Sequence, residues 1–233
     1  MRPALARSVL ATTAALCAGA AAAQSSTQWR TAPANDRFRA TAAIDAAREM
    51  NNFARCIASR RYGRARSVVL APYASVEQAR AANQIVMNRD DPCMLGTYTE
   101  TRMRFSGEVL AGALGQALVL KDYADLPVVV QDFAAASADE DARIAQLNPA
   151  EIFGRCVVQR DPASTLALFN AVRGTDEEQR AFERLLDDFG PCLASGSTLR
   201  VNKLFVRNVL GVAAYRLAQQ ARPRGQAQAG AAQ

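Results

Sequence analysis

The chain has 233 residues, half of them apolar and 21% charged, with 28 basic against 22 acidic side chains, a balance that excludes a polar disordered chain and allows a buried core. Histidine is absent. Every mechanism that needs an imidazole base, a Ser-His or Cys-His nucleophile or a His-bound metal is therefore excluded, and no metal or cofactor is expected.

The first 23 residues carry Arg2 and Arg7, then a mostly apolar run from Val9 to Ala18, and end Ala21-Ala22-Ala23 before Gln24. This pattern predicts a secretory signal peptide over 1–23 and a mature start at Gln24. The apolar run is shorter than the roughly 20 residues of a spanning helix, so no membrane span is expected after cleavage. Leu16 and Ala14 stand where a lipid-attachment site needs other residues, so Cys17 is read as discarded with the signal. Without Arg2 and Arg7 there remain 26 basic against 22 acidic residues, a net +4. A periplasmic or secreted protein of that mild charge has little access to nucleic acid. An anionic envelope component or another protein is the more natural partner.

The segment 24–39 lacks periodicity and is expected to be disordered. A helix follows near Thr41 to Ser59, with Ile44, Ala47, Met50, Ala54 and Ile57 on one stripe. A shift of 100 residues then lays Phe53, Arg55, Cys56 and Arg60 on Phe153, Arg155, Cys156 and Arg160, and Glu77, Arg80 and Ala81 on Glu177, Arg180 and Ala181. A one-residue gap brings Pro92-Cys93 onto Pro191-Cys192. The chain thus reads as a tandem duplication, with repeat 1 over 40–121, a linker over 122–147, repeat 2 over 148–220 and a disordered tail over 221–233.

Ala supplies 49 residues and no long segment alternates with period two, so the fold class is all-α, with about four helices per copy. Ser75-Val76-Glu77-Gln78 and Thr175-Asp176-Glu177-Glu178 are capping boxes. Each opens a helix of about a dozen residues, ended by Asp91-Pro92 in one copy and Gly190-Pro191 in the other. Asn148-Pro149 starts a helix to about Gln159, and Asp161-Pro162 starts another that Gly174 is placed to end. The last helix of each copy spans roughly Ser106 to Leu120 and Asn202 to Gln219. Gly107, Ala111 and Gly115 give the first of these a small-residue face suited to close packing of another helix. Between the copies, Leu126-Pro127-Val128-Val129-Val130 reads as linker packed across a seam, and Asp139-Glu140-Asp141 as a solvated loop.

The mature chain keeps Cys56, Cys93, Cys156 and Cys192, an even number for an oxidising compartment. Three pairings are open. A duplicated unit that folds on its own closes its own crosslink, which favours Cys56 with Cys93 and Cys156 with Cys192, each worth about 3–4 kcal/mol in the chain-entropy model. The alternative, a redox pair or metal site, has neither a Cys-x-x-Cys nor a His-bearing spacing behind it.

The Phe-x-Arg-Cys motif, the mid-unit capping box, Pro-Cys, and the closing Met103-Arg104-Phe105-Ser106 to Leu114-Gly115-Gln116-Ala117-Leu118 resemble a group of exported Gram-negative proteins. Those have a cysteine-containing helical unit in one or two copies and no assigned activity. The resemblance covers 40–219 and implies compartment and architecture alone. Ala111-Gly112 and Gly115-Gln116 depart from the Arg-Gly and Ala-Glu of that group's final helix.

For function, Arg55, Arg60, Arg61, Arg64 and Arg66 place five cations in twelve residues beside Cys56. This is either an anion-binding patch for phosphate or carboxylate groups, or a solvated helix end. Arg55 with Arg155, and Arg104 with Arg200, recur in both copies and suggest structural ion pairs. Catalysis without histidine falls to carboxylates, Glu49 or Glu108 being the acid/base candidates of a cell-wall-active enzyme. Glu49 has a helical setting like the acid of lytic transglycosylases, without the Ser-containing and Gly-rich motifs around it, and Glu108 lies in a first helical turn. A non-catalytic binding or envelope-maintenance role, with a groove where the copies meet over the linker, is the leading expectation.

Overall fold

The computed structural model describes residues 34–87, 92–95, 106–134, 147–193 and 202–221, and all regular structure among them is helical. The signal segment, the acidic loop at 139–141, Arg104, Arg200 and the tail from 222 onward lie outside the described residues.

Helix α1 spans Ala34–Arg60. It starts before the expected Thr41, so 34–39 is helix and not disordered chain. A packed helix propagates readily past its buried face. Within it Phe53, Ala54, Ile57 and Ala58 are buried. Arg61 (φ −131°, ψ 49°) breaks the run and α2 follows over Tyr62–Leu70. In α3, Val76–Val86, Ser75 Oγ accepts from Gln78 N at 3.0 Å while Gln78 Oε1 accepts from Ala74 N at 3.0 Å. The Ser75 half of the expected capping box is present, while the Gln78 side chain returns one residue further back, to Ala74 instead of to Ser75. A short α4, Pro92–Leu95, carries Cys93, and α5 spans Gly107–Asp122.

The segment expected as packed linker holds a helix of its own, α6, over Leu126–Ala134. Pro127 sits in its first turn, where its missing N–H costs nothing. Leu126, Val129 and Val130 are buried, and the helix packs mainly against the helices at 149–160, 162–170 and 203–221, on the second half of the chain and not across a seam. Helix α7 covers Pro149–Arg160, Asn148 Oδ1 accepting from Ala150 N at 2.9 Å. Asp161 (φ −136°, ψ 76°) separates it from α8, Pro162–Asn170. Gly174 does not end α8, which stops four residues earlier. Its φ of 77° instead serves the turn into α9, Asp176–Phe189, which Thr175 caps. A 3-10 turn, Gly190–Cys192, and α10, Lys203–Ala221, complete the chain.

Helices α5 and α10 form the centre. Leu110 to Val119 and Val206 to Ala218 are buried on every side, the pattern of a helix enclosed by others. Their backbones touch: a Cβ on Gly115 would lie 2.4 Å from the Gly211 carbonyl oxygen, and one on Gly211 would lie 2.4 Å from that of Gly112. The small-residue face expected on α5 is thus buried, although Gly107 faces Ala79 of α3 and not α10. One continuous apolar core runs from Met50 to Ala218 through both halves. On its rim Cys56 is bonded to Cys93 and Cys156 to Cys192, with Cα separations of 5.6 and 5.5 Å.

Candidate functional site

The five arginines around Cys56 do not converge, because the chain breaks direction at Arg61. Arg60 and Arg64 are exposed, and Arg61 is half-buried as the cap of α2. Arg66 turns inward and donates to Gln219 of α10, within a network in which Gln219 also donates to the Tyr123 hydroxyl. Nearby, the Tyr62 hydroxyl donates to Asp122 at 2.7 Å and lies 3.1 Å from the Tyr215 hydroxyl. Burial, followed by the hydrogen bond to Tyr62, pushes the Tyr215 hydroxyl pKa well up. This network joins α2, α5 and α10 and leaves no opening for a ligand that the geometry identifies.

Arg55 alone of the five reaches a cleft. It lines an opening between α1, α5 and α8 together with Asn51, Gln116 and a floor of Ala113, Ala117, Leu120 and Phe169. The space open to the centre of a water-sized sphere is about 10 Å³, room for one such group. The cleft lies where the two halves meet, as the groove was expected to, but α5 and α8 floor it and the linker does not.

Behind the cleft stand cations that sequence spacing did not single out. Arg207, fully buried on α10, donates to Gln116 Oε1 at 3.1 Å, to Glu178 Oε1 at 2.7 Å, and to the carbonyls of Phe169 and Ala171 at the end of α8. Burial lowers its pKa and Glu178 opposes that. Arg173, 6% exposed, reaches Asn51 Oδ1 at 3.5 Å, and its buried Nε has no hydrogen-bond partner. Burial and then the neighbouring Arg207 push it down to about 10, with Glu178 opposing. Above both, Arg48 Nε donates to the Arg173 carbonyl at 2.8 Å, fixing α1 across the 171–175 turn.

The position 100 residues from this crossing is built differently. There α7 meets the 71–75 turn, and Arg216 of α10 donates to Glu151 and to the carbonyls of Val69 and Ala71. The carbonyls of Val69 and Ala71 are the counterparts of those that Arg207 engages at 169 and 171. Arg155 is buried and donates to Gln220 at 3.0 Å, whereas Arg55 is exposed at the cleft rim. The recurring arginine pair therefore does not share one ion-pair environment. Glu49 is exposed, and so is Glu108, whose carboxylate accepts from Ser106 Oγ at 3.4 Å; neither lines the cleft.

The signal that points to this site is a mismatch between positions 100 residues apart. Asn51 corresponds to Glu151 and Gln78 to Glu178, and Arg207 and Arg216 interrupt a largely apolar helix. A group of acidic or cysteine side chains able to hold a metal is absent among the described residues. No helix among them is long and apolar enough to cross a membrane. Comparison with protein-family models, curated proteins and solved structures found no match.

Proposed function

We propose that this chain is an exported, periplasmic or secreted binding protein, built from two copies of one helical unit, with a non-catalytic role at the cell envelope. Two closed disulfides suit an oxidising compartment. The duplication is supported by helix bounds that recur at a spacing of 100, 62–70 with 162–170, and by caps at Ser75 and Thr175. The left-handed residues Ala74 and Gly174 recur in the same way.

The observation that carries the binding role is the cleft at the junction of the halves. Its lining offers the Arg55 cation and the Asn51 amide over an apolar floor, the Gln116 amide being held by Gly112 and Arg207, with no carboxylate, thiol or hydroxyl to perform chemistry. Retention of peptidoglycan fragments, lipopolysaccharide or a periplasmic component on immobilised protein, weakened by Arg55→Ala, is the expected result. Retention of none of them, or turnover of muropeptides abolished by Glu49→Gln, would replace this role with another. Export is checked separately by the mature N-terminus, expected at Gln24.

A further inference from the structure

The two disulfides are closed on supports of unequal strength. Cys56 and Cys156 occupy like positions, each one turn before the end of its helix and each half-buried. Their partners are held differently. Cys192 lies in the 3-10 turn Gly190–Cys192, which follows α9 without a break and packs on both α9 and α7. Just ahead of it the buried Phe189 meets the Phe153 ring of α7 edge-on, centroids 5.3 Å apart, and the Phe182 ring at 5.9 Å. Cys93 lies in α4, a helix of 4 residues that is separated from the end of α3 at Val86 and has α1 as its principal neighbour. Counted back from the cysteine, Asp90 stands in the place of Phe189, and Ala82 stands 100 residues before Phe182. Neither can supply the ring contacts that fasten the chain beside Cys192.

The cations beside the two bridges differ as well. Arg155 is buried and donates to Gln220 at 3.0 Å, and Arg160 is paired with Asp188 at 2.8 Å. Arg55 and Arg60, the residue before Cys56 and the residue one helical turn after it, are exposed. A guanidinium close to a sulfur stabilises its thiolate and attracts an incoming one. A disulfide, in turn, resists reduction in proportion to how closely the folded chain holds the two thiols after the bond is broken. On both counts Cys56–Cys93 is the weaker bridge.

We propose that Cys56–Cys93 is a site of thiol–disulfide exchange, opened by a dithiol carrier while Cys156–Cys192 stays shut. A carrier thiolate attacks Sγ of Cys56, the more exposed sulfur of the pair, since Cys93 is buried. The S–S bond breaks, and Cys93 leaves as a thiolate that takes up a proton. The second carrier thiolate attacks the carrier sulfur of the mixed disulfide, and Cys56 leaves as a thiolate beside Arg55 and Arg60 before it too is protonated. Two electrons pass to the protein, the carrier ends as a disulfide, and its two thiol protons end on Cys56 and Cys93. The opening is local, because α5 packs chiefly on α1, α2, α3 and α10 and not on α4. Neither the cleft nor a ligand in it enters this step.

The test equilibrates residues 24–233 with dithiothreitol at rising ratios of its reduced to its oxidised form, traps free thiols with an alkylating agent and maps them by mass spectrometry. Cys56–Cys93 should open at a ratio about tenfold lower than Cys156–Cys192. At that ratio the amides of α4 should exchange faster with solvent while those of α5 and α10 keep their protection. Arg55→Ala with Arg60→Ala should slow the opening several-fold at low ionic strength and leave the rate at the other bridge unchanged. Serines at 56 and 93 should lower the melting temperature less than serines at 156 and 192, since the bridge that is easier to reduce contributes less to stability. Opening of both bridges at one ratio, opening of Cys156–Cys192 first, or loss of protection in α5 and α10 as Cys56–Cys93 opens would overturn the proposal. An opening rate untouched in the arginine variant would overturn the attack at Cys56.

Discussion

At the scale of single residues, the sharpest constraints are the places where backbone meets backbone. Gly115 and Gly211 sit where a methyl group would penetrate a carbonyl oxygen of the facing helix. Gly115→Ala must therefore push α5 and α10 apart and should cost about 3 kcal/mol, at the upper end of overpacking, in urea denaturation. Gly63→Ala is the control: nothing lies within 4 Å of its added Cβ and it is within α2, so it should gain about 0.5–1 kcal/mol from helix propensity. The buried Arg207 and Glu178 pair makes a second residue-level test. Arg207→Met strands a buried carboxylate and should cost about 3–5 kcal/mol. Adding Glu178→Gln should recover much of that, since Gln78 serves the equivalent capping position without charge. A double-mutant cycle by chemical denaturation measures both, and a loss in the double variant equal to the sum of the two single losses would show that the pair is not coupled.

At the scale of elements, the turns before α3 and α9 allow a comparison within one molecule. Both place the residue before the cap in the left-handed region, Ala74 at φ 59° and Gly174 at φ 77°. An L side chain is disfavoured there by about 1–2 kcal/mol. Ala74→Gly should therefore raise stability by about 1 kcal/mol. Gly174→Ala should lower it by more than conformation alone, because Ile44 Cγ2 lies 2.7 Å from the new methyl. Thermal unfolding of the two variants against the parent decides it, and opposite signs are the expected outcome. These boundaries were legible in the sequence wherever a side chain closes its own helix end: Ser75, Asn148, Asp161 and Thr175 all accept the bonds their spacing promised. The early start of α1 and the helix α6 were not. Neither announces itself by a periodic apolar face plus a cap, and α6 owes its form to burial of Leu126, Val129 and Val130. The cleft was hidden for a related reason. Its lining comes from three distant stretches of chain, Asn51 and Arg55, Ala113 to Leu120, and Phe169, and nothing local joins them.

At the scale of the whole molecule, the 100-residue offset read in the sequence suggested units that fold independently, whereas the packing is shared. Helix α5 is enclosed by α10, α1 lies across the 171–175 turn, and Arg216 of the second half ends a helix of the first. Residues 24–233 should accordingly unfold in one cooperative transition, with calorimetric and van't Hoff enthalpies equal, and residues 24–121 alone should show no transition. Loss of Cys156–Cys192, through serines at both positions, should lower the stability of the whole by about 3–4 kcal/mol and not melt one half separately. Two separate transitions would refute the shared core.

The position of α10 near the end of the chain sets a problem of timing. Asp122 closes α5 and Ala221 closes its partner, so at ordinary synthesis rates about 5–20 s pass between the emergence of the two. Throughout that interval the face of α5 that α10 will cover, with Gly112 and Gly115 on it, lies open although α1, α2 and α3 can already pack on the others, and it is that face that another nascent copy could capture. A chain cut short before residue 203 would prolong that exposure indefinitely, which makes late truncations of this protein more aggregation-prone than early ones that stop ahead of residue 107.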